Sequence, residues 1–274
     1  MPELPEAENI CRALRNALCG KMICKVEIFS PAMRTPLTPL VDAALENHFI
    51  INIRRRGRYL VAELDDGRGL LMHFGMSGVV RVETPDVPRR KHEHAFIHLD
   101  DGKIFRFECT RRFSILEVCE NCGGGKFPSQ LDQLGVEPLS DDFTGSYLFN
   151  AFSKRRGAVK NALMDNKIVT GVGNIYANES LFACGISPLR PACEVTAGEC
   201  ELLVENVKSI LLRAIECGGS TISDFRNVDG SEGKFARELK IYDCAGKNCS
   251  RCGNIVKSVR IGGRSSFYCD GCQK

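Results

Sequence analysis

The chain has 274 residues, of which 43% are hydrophobic and 26% charged, and its formal net charge is +3. Such a chain is expected to be globular and long enough for two domains and a small module. No apolar run reaches the length of a membrane span and no signal peptide precedes the acidic start, so we do not expect a membrane or secreted protein. Fifteen cysteines, an odd number, then indicate reduced thiols in a cytosol.

The first residues place a proline at position 2 with a glutamate beside it. If Met1 is removed, Pro2 offers a secondary amine, and an α-amino group has a pKa of roughly 7.7–8.0 against about 10.4 for a lysine. Such an amine attacks a carbonyl and gives an iminium ion directly, and Glu3 could move protons beside it. A helix is predicted over 5–18 with Pro5 in its first turn. The alternative is an ordinary N-terminal helix with a proline cap.

Residues 21–118 alternate between polar and apolar side chains over short stretches, which predicts strands. Turn sequences at Asp65-Asp66-Gly67 and Asp100-Asp101-Gly102 separate some of them. Many short strands at this spacing predict a β-sandwich with the first helix packed beside it. The predicted strands cover 24–28, 49–54, 59–64, 70–74, 79–83, 94–99, 104–107 and 113–118.

Beyond 119–130, where Gly123-Gly124-Gly125 is typical of a linker, the periodicity becomes helical. A capping box at 196–199 precedes an apolar stripe that ends at Gly218-Gly219. Two polar, glycine-rich turns at 163–167 and 171–174 lie close to helical stretches. Backbone amides at such turns can bind phosphate without reading sequence.

The C-terminal segment contains two Cys-x2-Cys pairs separated by sixteen residues. Two thiolate pairs at this spacing predict one tetrahedral structural zinc. Strands at 255–261 and 264–268 flank Gly262-Gly263, which predicts a hairpin with Arg264 at its tip. From Lys234 to Lys274 nine Lys/Arg face three Asp/Glu, a net charge of +6 that favours a polyanion partner over a merely solvated tail. The predicted zinc ligands are Cys249, Cys252, Cys269 and Cys272.

Another pair, Cys119-x2-Cys122, has the spacing of a metal knuckle but no evident second pair nearby. Only Cys109 and a distant thiol could complete it. The sequence therefore favours no second metal but leaves the question open, and the remaining cysteines are expected to behave as small buried hydrophobes.

In this order, these features resemble the formamidopyrimidine-DNA glycosylase family, whose nearest relatives are endonucleases VIII. The resemblance covers residues 1–274, and Leu4 in place of glycine favours the first branch over the second. The matching motifs are MPELPEAE at 1–8, HFGMSG at 73–78, KHEH at 91–94, RRF at 111–113, LMDNK at 163–167 and GVGNIYANE at 171–179.

The resemblance implies an α+β multidomain fold: a β-sandwich with a flanking helix over 1–125, a helical domain with a helix-two-turn-helix and a lesion-capping loop over 126–243, and a zinc-bound β-hairpin over 244–274. It implies a bifunctional glycosylase and abasic-site lyase of bacterial base excision repair that removes oxidised purines such as 8-oxoguanine and formamidopyrimidines. The expected partner is double-stranded DNA carrying oxidised bases or abasic sites. We expect a cytoplasmic, nucleoid-associated monomer.

The resemblance also implies roles for single residues. Pro2 would attack the sugar C1′ and Glu3 would protonate the opened sugar, and Arg58 and Arg264 complete the catalytic set. Met76, Arg111 and Phe113 would fill the space left by a flipped nucleotide, although a methionine and a phenylalanine after strands are usually packing residues. Phosphate and lesion contacts would come from His73, His92, Arg155, Lys160 and Asn174.

Two departures from the family pattern stand out. Arg58 occupies the place of a lysine before Tyr59-Leu60, and Cys109-Thr110 replaces an Asp-Pro before the RRF motif. The first change touches chemistry, because a guanidinium stays charged and a lysine need not. Two alternatives therefore stay open: a damaged-DNA or abasic-site binding protein with weakened base excision, and an oxidised-pyrimidine glycosylase.

Overall fold

The computed structural model describes residues 2–30, 44–221 and 227–274. The chain forms two compact units, Met1–Asp132 with Cys217–Lys234 and Gln133–Glu216 with Phe235–Lys274. The three predicted domains differ from these units in their bounds, and the division into three remains a prediction. In the described residues no helix combines the length and hydrophobicity needed to span a membrane.

The first unit contains helix α1 (Leu4–Leu18) and two antiparallel four-stranded sheets. The strands are β1 (Ile23–Ile28), β2 (Ile50–Arg56), β3 (Tyr59–Leu64), β4 (Gly69–His73), β5 (Gly78–Glu83), β6 (Glu93–Leu99), β7 (Ile104–Cys109) and β8 (Ile115–Cys119). One sheet has the order β1-β6-β7-β5 and the other β2-β3-β4-β8.

One apolar core joins both sheets and α1, which confirms the predicted sandwich with its flanking helix. Ile10, Leu14 and Leu18 lie on one face of α1, and all three are buried in this core. Burying a side chain of this size contributes about 1.5–3 kcal/mol. The core therefore fixes α1, and with it the N-terminal residues, against the sheets.

The second unit is helical and ends in a β-hairpin. The apolar stripe predicted for its longest helix is buried at Leu203, Val207, Leu211 and Ala214. A capping box starts this helix as predicted, because Glu199 N donates to Thr196 Oγ1 and Thr196 N donates to the Glu199 carboxylate. The elements are α2 (Gly145–Phe152), α3 (Val159–Leu163), α4 (Asn174–Cys184), α5 (Ala197–Glu216), β9 (Lys257–Ile261) and β10 (Arg264–Tyr268).

Candidate active site and nucleic-acid interface

The N-terminal residues are fixed by a buried carboxylate. Glu6 Oε2 accepts a hydrogen bond from Glu3 N at 2.8 Å, and Glu6 Oε1 accepts one from Ser220 N at 2.7 Å. Gly219 has a φ of +83°, and a Cβ added there would lie 3.0 Å from Glu6 Oε1. Pro2 is buried, and Glu3 is only 4% exposed. One side chain thus joins the start of α1 to the segment that enters the predicted lesion-capping loop, whose residues 222–226 lie outside the described residues.

A charged cluster orients α1 on the second sheet. The Glu8 carboxylate accepts hydrogen bonds from Arg55 at 2.7 Å and Arg12 at 2.8 Å. Burial opposes ionisation of Glu8, but the two guanidinium groups outweigh it and lower the pKa of that carboxyl. Arg55 belongs to β2, which turns at Gly57 (φ +57°) into Arg58 and β3. The cluster therefore positions the Arg58 turn relative to α1.

Three residues predicted to fill the space of a flipped nucleotide lie together at one end of the sandwich. Arg111 Nη1 is 3.6 Å from Met76 Sδ, and Arg111 N donates to Ser77 Oγ. Gly75, at φ +55°, passes so close to Phe113 that an added Cβ would lie 2.8 Å from its backbone. Met76 and Phe113 are 44% and 54% exposed. Neither side chain is packed in the core, and two exposed apolar side chains beside an arginine suit a wedge between bases.

The two predicted histidine sites differ in their surroundings. His73 ends β4, where its Nδ1 accepts from Gly75 N at 3.2 Å and its ring lies 4.6 Å from the Tyr59 ring. His92 precedes β6 and is half-buried, and its carbonyl accepts from Cys109 N. Both rings remain predicted DNA contacts. His94, the second histidine of the KHEH motif, is buried and is hydrogen-bonded to the Cys109 carbonyl.

In the second unit, the helix-two-turn-helix and the hairpin meet at one place. Lys160 Nζ lies 3.0 Å from Ser265 O and 2.6 Å from Ser266 Oγ, and Asn174 Nδ2 lies 3.1 Å from Ser265 O. The hairpin turn approaches α3 so closely that a Cβ on Gly262 would lie 2.5 Å from Asn161 Oδ1. Arg264 is exposed at this junction. The ammonium of Lys160 is fully buried, so in this conformation it supports the hairpin.

Arg155 lies in an exposed basic stretch after α2. Its guanidinium is paired with Asp165 at 3.0 Å, and its side chain is 45% exposed. An exposed pair of this kind is worth about 0–1 kcal/mol, so a phosphate can replace the carboxylate at little cost. Its predicted role in DNA binding stays a prediction.

The four C-terminal thiols form a metal site. The Sγ atoms of Cys249, Cys252, Cys269 and Cys272 all lie within 4.8 Å of one another. Burial opposes ionisation of Cys249, but hydrogen bonds from backbone N–H groups lower its pKa to about 7. The hydrogen bond that the Cys272 thiol donates to Cys252 is the first cause that raises the pKa of Cys272 to about 12. Four thiols this close cannot all ionise without a cation, and Zn²⁺ is the cation that a tetrahedral Cys₄ set prefers.

Three parts of the chain match models of known protein families. Residues 1–116 match the formamidopyrimidine-DNA glycosylase N-terminal domain, and 134–226 match the formamidopyrimidine-DNA glycosylase H2TH domain. Residues 246–274 match the zinc finger found in FPG and IleRS. The chain belongs to the formamidopyrimidine-DNA glycosylase family.

Individual family members are similar over their full length. The chain is 45% identical to the formamidopyrimidine-DNA glycosylase of Alcanivorax borkumensis and 43% identical to that of Laribacter hongkongensis, with 100% of each chain covered. Among solved structures, a Lactococcus lactis FPG mutant in complex with a Fapy-dG containing DNA has a TM-score of 0.89 at 30% identity, again with both chains fully covered. The MutM (FPG) protein of Thermus thermophilus has a TM-score of 0.86 at 33% identity, with 99% of this chain and 98% of that chain covered.

Two buried glutamates of this formamidopyrimidine-DNA glycosylase family member escaped the sequence analysis. Glu6 was given no role beyond its place in the MPELPEAE motif, although its spacing of three from Glu3 is that of a capping box. Glu179 is 4% exposed and accepts hydrogen bonds from the backbone N–H groups of Lys240, Ile241 and Tyr242. Its sequence signal was its place as the last residue of the GVGNIYANE motif, in a helix that is otherwise mostly apolar. Glu179 fixes the segment that leads into the zinc finger.

Proposed function

We propose that this protein is a bifunctional glycosylase and abasic-site lyase for oxidised purines, 8-oxoguanine and formamidopyrimidines among them. Membership of the family supports a DNA glycosylase of base excision repair. The lyase chemistry is inferred from one observation: Pro2 and Glu3 are both buried and lie at the start of a helix that is packed against the core.

The proposed reaction begins after removal of Met1, when the Pro2 nitrogen has a lone pair. That nitrogen attacks C1′ of the damaged nucleotide, the base leaves, and the sugar ring opens to an iminium ion as Glu3 delivers a proton to the ring oxygen. The cationic iminium acidifies C2′, so that β-elimination expels the 3′ phosphate and δ-elimination then expels the 5′ phosphate. Hydrolysis of the remaining iminium releases Pro2.

The wedge formed by Met76, Arg111 and Phe113 would make C1′ accessible. Base chemistry requires the nucleotide to leave the stack, which costs a few kcal/mol for each unstacked step. Phe113 would insert between base pairs while the Arg111 guanidinium donates hydrogen bonds to the orphan base. Their exposure supports this role.

The junction of α3, α4 and the hairpin in the second unit would bind the DNA backbone. The α4 N-terminus carries partial positive charge and Arg264 contributes a full one, so both favour phosphate. Cys249, Cys252, Cys269 and Cys272 would hold a zinc ion that stabilises the hairpin. Family structures with an abasic site containing DNA are consistent with such a partner, since one Lactococcus lactis Fpg complex of this kind has a TM-score of 0.89 to this chain.

A panel of duplexes tests the proposal. Each duplex carries 8-oxoguanine, a formamidopyrimidine, an oxidised pyrimidine or a ready-made abasic site, and strand scission is measured under single-turnover conditions. We expect scission at the oxidised purines with phosphate left on both sides of the gap. Scission confined to oxidised pyrimidines would favour the pyrimidine alternative, and tight binding without scission of any duplex would favour a binding protein.

A further inference from the structure

The Cys119/Cys122 pair has a geometry different from that of the zinc ligands. Its two Sγ atoms are 2.8 Å apart, whereas the closest finger sulfurs are 3.4 and 3.8 Å apart. A Zn–S distance of about 2.3 Å in a tetrahedron separates two sulfurs by about 3.8 Å. A disulfide needs about 2.05 Å. The pair is therefore too close to share one tetrahedral ion and about 0.8 Å from bonding distance.

No third metal ligand accompanies this pair in the part of the chain that the structure describes. Among those residues, one further group besides the four finger cysteines could hold a metal ion, and it consists of His48 with Asp65 and Asp66 of the β3–β4 turn. There the Arg68 guanidinium already contacts both His48 and Asp66. Neither observation supports a second metal.

The backbone holds the two cysteines together without a covalent bond. Asn121 between them has a φ of +56°, and Cys122 N donates to Gly67 O at 2.8 Å. The Arg54 guanidinium donates to the carbonyl groups of Cys122, Gly125 and Lys126. Gly69, opposite Cys119 in β4, leaves the space the pair needs, because an added Cβ would lie 2.9 Å from Cys122 Cβ. Oxidation would therefore require little rearrangement.

Access to the pair is one-sided. A cleft of about 620 Å³ is lined by Cys119 together with Glu120, Asn121, Lys126 and Phe127, among others, and not by Cys122. This volume accommodates a small molecule. Cys119 is itself only 5% exposed and Cys122 is completely buried, so a reagent in the cleft meets Cys119 first.

We propose that Cys119 and Cys122 form a reversible disulfide by exchange with a low-molecular-weight disulfide. The Cys119 thiolate attacks one sulfur of the reagent and releases the first small thiol, which leaves a mixed disulfide. Cys122 then attacks the Cys119 sulfur and releases the second small thiol. Two protein thiols are oxidised, one reagent disulfide is reduced to two thiols, and the two protons leave with them.

The resting form of the pair is the dithiol. Burial, followed by the hydrogen bond that the Cys119 thiol donates to Cys122, raises the pKa of Cys119. Few thiolates are then present near neutral pH, so we expect exchange to be slower than at an exposed cysteine with an ordinary pKa.

Peptide mapping tests the disulfide directly. Trypsin releases residues 113–126 as one peptide that contains only these two cysteines. The zinc-loaded, full-length protein is incubated with oxidised glutathione and then alkylated. We expect this peptide to be recovered without alkyl groups and two hydrogen atoms lighter, and dithiothreitol to restore two alkylation sites. The exposed Cys24 and Cys193 serve as internal controls, since they should carry glutathione instead.

Single substitutions identify the order of attack. In Cys122→Ser, a glutathione adduct should accumulate on Cys119, whereas Cys119→Ser should leave Cys122 unmodified. Recovery of the wild-type peptide with two alkyl groups, after Cys24 and Cys193 are fully modified, would overturn the proposal. Loss of a second equivalent of bound zinc in either variant would also overturn it, in favour of a metal. Peptide mapping of the wild-type protein shows whether the disulfide forms, even if a variant does not fold.

Discussion

Arg58 stands at the turn between β2 and β3, where the family pattern carries a lysine. A guanidinium has a pKa of roughly 12.5–13.8 and cannot serve as a general base, although it binds phosphate bidentately. We therefore hypothesise that Arg58 retains DNA binding and lowers the rate of base removal. Cleavage at a ready-made abasic site uses Pro2, Glu3 and the eliminations, so this step should be largely independent of residue 58.

The variant Arg58→Lys should accelerate 8-oxoguanine excision, by up to the ~10²–10⁴-fold that general acid–base assistance typically contributes. Single-turnover kinetics on 8-oxoguanine and abasic duplexes measure the two steps separately. Arg56→Lys, in the same hairpin, is the matched control and should change neither. Excision that is unchanged or slower in Arg58→Lys would mean that Arg58 only binds phosphate.

Arg264, at the start of β10, is the exposed cation of the second unit's predicted DNA-binding junction. Its removal in Arg264→Ala should weaken binding to all duplexes alike and lower the slope of log K against log salt by about 1. Lys257→Ala in the same hairpin removes a charge that is paired with Asp270, and should leave the slope nearly unchanged. Equal slopes for wild type and Arg264→Ala would exclude a phosphate contact at this residue.

At the scale of elements, the zinc hairpin has too little apolar area to fold alone. Its core consists of a few side chains from the hairpin and neighbouring segments, Phe182, Ile241, Val256 and Phe267 with two of the cysteines. Metal binding should therefore supply the folding free energy of the hairpin.

We expect one zinc per chain by elemental analysis, and loss of both zinc and DNA affinity in Cys269→Ala. Cys244→Ala, a half-buried thiol against the same core, is the control and should retain both. DNA affinity that survives in Cys269→Ala would contradict this account.

The start of α5 gives a pH-dependent contribution to stability. Hydrogen bonds from Arg190, and then from Thr196, lower the pKa of Glu199 to about 2 against the resistance of burial. Because the folded pKa lies below the ordinary value of roughly 4.3, the stabilisation is complete above that value and is lost as pH falls towards 2. Glu199→Gln removes the charge that is paired with Arg190 and should cost up to about 1 kcal/mol at pH 7. The difference in thermal midpoint from wild type should shrink between pH 5 and pH 3, and a constant difference would contradict the assignment.

For the whole molecule, periodicity and spacing predicted the two sheets, the main helices and the zinc ligands, with strand ends displaced by one or two residues. These features depend on local patterns. The Glu6–Ser220 hydrogen bond joins residues 214 positions apart, and the burial of Lys160 depends on a hairpin more than a hundred residues away. No local pattern encodes such contacts. For the same reason the sequence could not distinguish the Cys119/Cys122 pair from a metal knuckle.

The account of the whole molecule depends on Pro2 as the nucleophile. Borohydride reduction of the protein with 8-oxoguanine or abasic DNA should trap a covalent complex whose crosslinked peptide begins at Pro2. Protein that retains Met1 is the matched control, because an amide nitrogen cannot form the iminium, and it should give no crosslink. A crosslink of equal yield from the Met1-containing protein, or one that maps to a lysine, would contradict the central claim.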